Sequence, residues 1–153
     1  MEIITKSVRE TQKIAEILAQ KILKSNKIDK SLIIALEGDL GSGKTTFIQG
    51  FAKGLGIKEK VLSPTFVILK RFKIRENLCS NSCKLENLYH IDCYRIIKPK
   101  EILDLGFKEL LKDYQNIVII EWAERVKKIL PRKRINIKFE WVDEKSRLIK
   151  IKA

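Results

Sequence analysis

Gly38-Asp39-Leu40-Gly41-Ser42-Gly43-Lys44-Thr45 is the stretch from which the rest of this chain can be read. It matches G-x-x-x-x-G-K-[ST], with the apolar run 32–36 before it and helically spaced Phe47, Ile48, Phe51 and Leu55 after it. Each residue type has a mechanical reason. Glycines let the backbone curl so that successive N–H groups converge on phosphate oxygens, and the following helix adds the positive end of its dipole. Lys44 supplies a point charge to the outer phosphates, and the Thr45 hydroxyl is suited to ligate Mg²⁺. Strand, glycine loop and helix in that order predict a nucleotide-phosphate site in an α/β fold.

Working outward, Ser7-Val-Arg-Glu10 has capping-box spacing, and Ile14, Ala15, Leu18 and Ile22 share one face of a helix predicted over 8–24. The continuous apolar run over 31–37 reads as a fully buried strand. Further strands are expected over 65–72, 88–94 and 117–121. A helical stretch over 101–113, broken at Gly106, separates the last two, and a hairpin over 135–142 and 148–151 turns at Asp143-Glu144. The expected architecture is a three-layer αβα sandwich of the P-loop NTPase kind. Its central sheet should be mainly parallel, with an antiparallel C-terminal hairpin. No repeat or linker divides the chain, so one domain over 1–153 is expected.

The composition agrees with a folded core. Of 153 residues, 44 % are apolar and 33 % charged, with 3 Pro and 7 Gly, which excludes a disordered or collagen-like chain. The longest apolar run, 32–36, is far short of the ~20 residues needed to span a bilayer, and no secretion signal is evident. A cytoplasmic protein without a membrane partner is expected. The net charge is +13, part of which reflects a joint abundance of Lys and Ile; residues 125–153 carry +8 of it. Such a face is a solvated lysine-rich surface or a means of attracting polyanions such as tRNA. Cys79, Cys83 and Cys93 with His90 loosely imitate a zinc site, but strand alternation should point His90 and Cys93 to opposite sides. Reduced thiols are expected.

A phosphate loop needs an acidic partner for the metal. The run 117–120 ends in Glu121, a Walker B arrangement with Glu in place of Asp, and 88–91 ends in Asp92. Both carboxylates are expected at the C-terminal edge of the parallel strands, where ligands of open α/β sheets bind. One can steady Mg²⁺ while the other orients the attacking water. Asn26-Lys27-Ile28-Asp29 spells a guanine-reading N-K-x-D, yet it precedes the loop and follows a helix, so ATP is the expected nucleotide.

Gly38 to Thr46, Ser63-Pro64-Thr65-Phe66, Tyr89-His90-Ile91-Asp92-Cys93-Tyr94-Arg95 and Glu121-Trp122 together resemble the TsaE (YjeE) family in order and spacing. Members are bacterial P-loop ATPases required for threonylcarbamoyladenosine (t6A) modification of tRNA. The resemblance implies that Gly41, Ser42, Gly43, Lys44, Thr45 and Thr46 enclose the phosphates and that Thr45 and Glu121 hold Mg²⁺. It further implies that Asp92 is the essential aspartate near the attacking water. Thr65, on a switch-like loop, would approach the γ-phosphate, and Arg147 would lie near the nucleotide. Trp122 matches the family's Trp beside the metal-binding Glu. Three departures stand out: Cys93 replaces a usual Leu, the loop 73–87 is long, and Lys70-Arg71-Phe72 replaces an acidic residue before an aromatic one. The implied activity is ATP hydrolysis supporting turnover of a complex with TsaD and TsaB, through which tRNA could be met. The alternatives are a small-molecule P-loop kinase and a nucleotide-gated adaptor without turnover.

Overall fold

In the computed structural model, residues 1–25, 30–63, 67–75 and 85–153 are described. Asn26-Lys27-Ile28-Asp29, Pro64, Thr65, Phe66, Cys79 and Cys83 lie outside them, and so do the expectations that rest on those residues. The elements are β1 (Glu2–Thr5), α1 (Val8–Leu23), β2 (Leu32–Glu37), α2 (Lys44–Gly54), β3 (Leu69–Lys73) and β4 (Asn87–Asp92). The chain continues through α3 (Lys100–Leu103), α4 (Phe107–Lys112), β5 (Asn116–Glu121), a 3-10 helix (Ala123–Ile129), β6 (Ile135–Trp141) and β7 (Arg147–Lys152).

The strands form one sheet in the order β1-β7-β6-β2-β5-β4-β3. Its four middle strands, β6, β2, β5 and β4, are mutually parallel. The flanks β1-β7, β7-β6 and β3-β4 are antiparallel. The sheet is therefore parallel at its centre, where the phosphate loop is held, and antiparallel toward both edges. Every residue of β5 is buried, as a strand covered on both faces should be.

Alternation along the central strands sorts their side chains into two cores. Ile34, Leu36, Ile117 and Ile119 face α1 and α2, against Ala15, Ala19, Phe47, Ile48 and Phe51. Ile33, Ala35, Val118 and Ile120 face the other way, against Ile102, Phe107, Ala123 and Val126. Helices on both faces make the three layers expected from the strand-helix pattern.

Several boundaries have visible local causes. Ser7 Oγ accepts from the Glu10 amide at 3.1 Å, while Glu10 Oε2 accepts from the Lys6 amide at 2.7 Å, one residue further back than the usual capping box. Gly106 at φ 82 separates α3 from α4. Asp143 Oδ1 accepts from the Lys145 and Ser146 amides and closes the hairpin turn. The strand expected over 65–72 begins only at Leu69. Ile68 sits at φ 62 and the Leu69 amide donates to Val67 O at 2.7 Å, a tight turn that an extended chain cannot contain. Neither β1 nor the 3-10 helix after Glu121 is anticipated by periodicity.

Candidate nucleotide-phosphate site

β2 delivers the chain to Gly38, where the loop turns. Gly38 has φ 140, and a Cβ there would lie 2.5 Å from Phe139 O on β6, so only glycine fits between strand and loop. Gly43 has φ 100 and is the residue from which α2 starts. Lys44, on the first turn of α2, is only 4 % exposed because it folds back over the loop. Its ammonium donates to Gly38 O at 2.6 Å and Asp39 O at 2.8 Å, and reaches Ser42 Oγ at 3.4 Å. It also stands 4.0 Å from the centre of the Trp122 ring. Burial pulls the lysine's pKa below its ordinary value, while Glu121, Glu124, Asp92 and Asp39 oppose the loss of its proton.

The two strand-ending carboxylates are brought side by side. β4 and β5 pair in parallel with Asp92 opposite Glu121. Glu121 is buried, and its two oxygens accept from Thr45 Oγ1 at 3.1 and 3.0 Å, which joins the end of β5 to the first turn of α2. His90 Nε2 lies 2.8 Å from Glu121 Oε1, across the sheet on the same face. With Glu121 ionised, the ring nitrogen is the donor of this bond. The ring is fully buried, and Nδ1 has no hydrogen-bond partner among the described residues. Asp92 Oδ2 accepts from Ser63 Oγ at 2.5 Å and Oδ1 from the Tyr94 amide at 2.9 Å.

Trp122 follows Glu121 directly at φ 58, a left-handed conformation that swings its ring away from the strand direction. The ring packs on Tyr94 with centroids 5.0 Å apart, and the Arg125 guanidinium lies 5.6 Å from both rings. Trp122 is thus both a packed residue and a wall of the site. Leu40, the loop, Ser63, Asp92, Tyr94, Glu121 and Trp122 surround a cavity of about 360 Å³. A second, of about 410 Å³, shares Gly41, Gly43 and Thr46 with it and extends past Lys6, Ser7, Val8 and Thr11. Arg147 borders this second cavity. Its guanidinium donates to Asp143 O, Ser146 O and, at 3.3 Å, Gly41 O, which places β7 against the loop.

Gly41, Ser42, Gly43, Lys44, Thr45, Thr46, Asp92, Glu121 and Arg147 therefore converge on one end of the sheet, while Thr65 lies outside the described residues. The donor set suits Mg²⁺ with a phosphate ligand. Magnesium at phosphates is held by one or two carboxylates, a hydroxyl and the phosphates themselves, not by an all-protein cage. Among the described residues no group of three or more His, Cys, Asp and Glu is arranged to hold a metal by itself. His90 is the residue that sequence reasoning missed. It shares a strand face with Asp92, and the β4–β5 register carries it to Glu121, a pairing no local spacing shows. Cys93 packs in the opposite core, and burial pushes its thiol up to about 12.

A family model described as threonylcarbamoyl adenosine biosynthesis protein TsaE matches residues 5–149. The chain is 39 % identical over 150 residues to the tRNA threonylcarbamoyladenosine biosynthesis protein TsaE of Rickettsia felis, covering 97 % of this chain and 78 % of that one. It is 44 % identical over 105 residues to the Bacillus subtilis protein of the same name, covering 69 % of this chain and 59 % of that one. The crystal structure of Bacillus subtilis YdiB matches with a TM-score of 0.66 at 30 % identity, covering 97 % of this chain and 82 % of that one.

Proposed function

Because this chain belongs to the TsaE family, we propose that it is a Mg²⁺-dependent cytoplasmic ATPase that serves threonylcarbamoyladenosine modification of tRNA by supporting turnover of a TsaD–TsaB complex. One observation carries the ATPase reading: the Glu121 carboxylate is held between the Thr45 hydroxyl and His90, with Asp92 beside it at the mouth of the phosphate loop. Lys44 braces the loop through two short bonds to carbonyls, and its longer contact to Ser42 is the one a phosphate oxygen would replace. Thr45 and Glu121 would hold Mg²⁺, which when bound offsets the negative charge of the outer phosphates as the terminal P–O bond breaks. Asp92 would orient the attacking water, its oxygens already aimed by Ser63 and the Tyr94 amide. The nucleoside half would extend past Gly41 toward Lys6, Val8 and Arg147.

Hydrolysis by the chain alone should be slow, as in P-loop proteins that await a partner's help with the γ-phosphate. The test is an ATPase assay of the chain alone and then with TsaD, TsaB and tRNA at matched salt. The expected result is a low basal rate that rises with the partners, and a rise that Thr65→Ala blunts while ATP affinity holds. Equal rates with and without partners would overturn partner-coupled hydrolysis. Binding without turnover under every condition would make the chain an adaptor, and a phosphorylated small molecule would make it a kinase.

A further inference from the structure

A cavity of about 410 Å³ lies at the end of the sheet opposite the phosphate loop. Its floor is the start of β2 and of β6, Leu32, Ile33 and Ile135, with Leu111 from α4 as one wall. Four residues of β2, 34–37, separate this floor from Gly38, about 16 Å at the rise of a strand. Around the rim stand Lys30, Arg132, Lys133 and Arg134, Ala153 borders it as well, and among the described residues no Asp or Glu side chain lines the cavity. Among the described residues no carboxylate pairs with any of these four. Arg134 is held rigidly, donating through Nε to Asn136 Oδ1 at 2.7 Å and through Nη1 to Pro131 O at 2.6 Å. A guanidinium has five N–H groups, so others remain for a ligand. Ser31 Oγ donates to Leu111 O at 2.8 Å and fixes the wall to the floor.

We propose that this cavity docks an acidic protein segment, one apolar side chain entering the aliphatic floor between Leu32, Ile135 and Leu111 while flanking Asp or Glu residues meet the rim of Lys30, Arg132, Lys133 and Arg134. Charge complementarity selects an anionic occupant, since the four side-chain cations outnumber the one α-carboxylate, that of Ala153, on a residue lining the cavity. The floor selects protein over RNA. Single-stranded RNA is gripped by aromatic rings on which bases stack, and no aromatic residue among those described lines this cavity. A phosphodiester backbone would leave the aliphatic surface in contact with charge. The occupant and a nucleotide would sit at opposite ends of β2, so neither blocks the other.

The test uses the intact chain, immobilised, against a random-peptide phage library, with counter-selection on the Arg132→Glu/Lys133→Glu variant. Both residues are exposed, so the variant should melt and bind ATP like the unaltered chain; Lys30→Glu is the second variant. The expected outcome is enrichment of peptides with Asp or Glu flanking Leu, Ile or Phe. A synthesised winner should lose at least about tenfold in affinity on either charge reversal, or when its apolar residue becomes Ser. Enriched peptides without acids, or binding indifferent to both variants, would overturn the proposal. So would poly-uridylate displacing the winner at lower concentration than the unlabelled peptide itself, because the surface would then be an RNA site.

Discussion

Gly50→Ala tests how α2, which carries Lys44 and Thr45, is held in place. On an isolated helix the change should help, since alanine favours the helix over glycine by about 1 kcal/mol. The packing opposes it. A Cβ on Gly50 would lie 2.2 Å from Gln12 O, 2.5 Å from Gln12 Cα and 2.7 Å from its carbonyl carbon, where ordinary contact begins at 3.4 Å. All three atoms belong to the α1 backbone, so no side-chain rotation relieves the overlap, and the helices must part by about 1 Å. That separation loosens Ala15, Ala19, Phe47 and Phe51, which fill the core on this face. Overpacking against rigid backbone should cost about 3 kcal/mol, leaving a net loss of about 2 kcal/mol after the propensity gain. In urea unfolding followed by circular dichroism, the midpoint should fall by about 1 M at unchanged slope. A midpoint equal to or above that of the unaltered chain would show that helix propensity outweighs the contact, and would refute the close approach of α1 and α2.

The remaining predictions concern the site and its neighbour. Lys44→Ala removes both the charge facing the outer phosphates and the bonds bracing Gly38 and Asp39. ATP affinity in calorimetry should fall by roughly 3 kcal/mol, and undiminished affinity would remove the phosphate-loop reading. Asp92→Asn and Glu121→Gln keep size and lose charge, so each should lower turnover far more than it lowers the melting temperature. Glu121→Gln should raise the Mg²⁺ concentration needed for half-maximal rate more than Asp92→Asn does; unaltered rates in both would contradict the two-carboxylate assignment. Cys93 is buried with its thiol pushed up to about 12, so in native protein at pH 8 it should resist iodoacetamide, and it should react once urea exposes it. Peptide mapping by mass spectrometry reads this directly, and rapid native modification of Cys93 would count against its place in the core.

Much of this protein was legible from residues close together in the chain. The glycine loop between β2 and α2, the Ser7 cap, the break at Gly106 and the turn at Asp143 each depend on a handful of neighbours, and the structure has them where they are expected. The strand endings Asp92 and Glu121 could be read as candidates in the same way. That both lie at one edge of the sheet was expected; that they stand directly opposite each other depends on the parallel register of β4 and β5, which short segments do not encode. That register also turned His90 from a stray histidine into the partner of Glu121, and the β7 position brought Arg147 to Gly41 across 106 residues. The four residues of β1, of mixed exposure, carry no periodic signal, and only pairing with Arg147–Lys150 makes them a strand. Local chemistry is written in short segments whose partners are adjacent. The order of strands, and hence which side chains share a cavity, is decided only when distant apolar faces find one another.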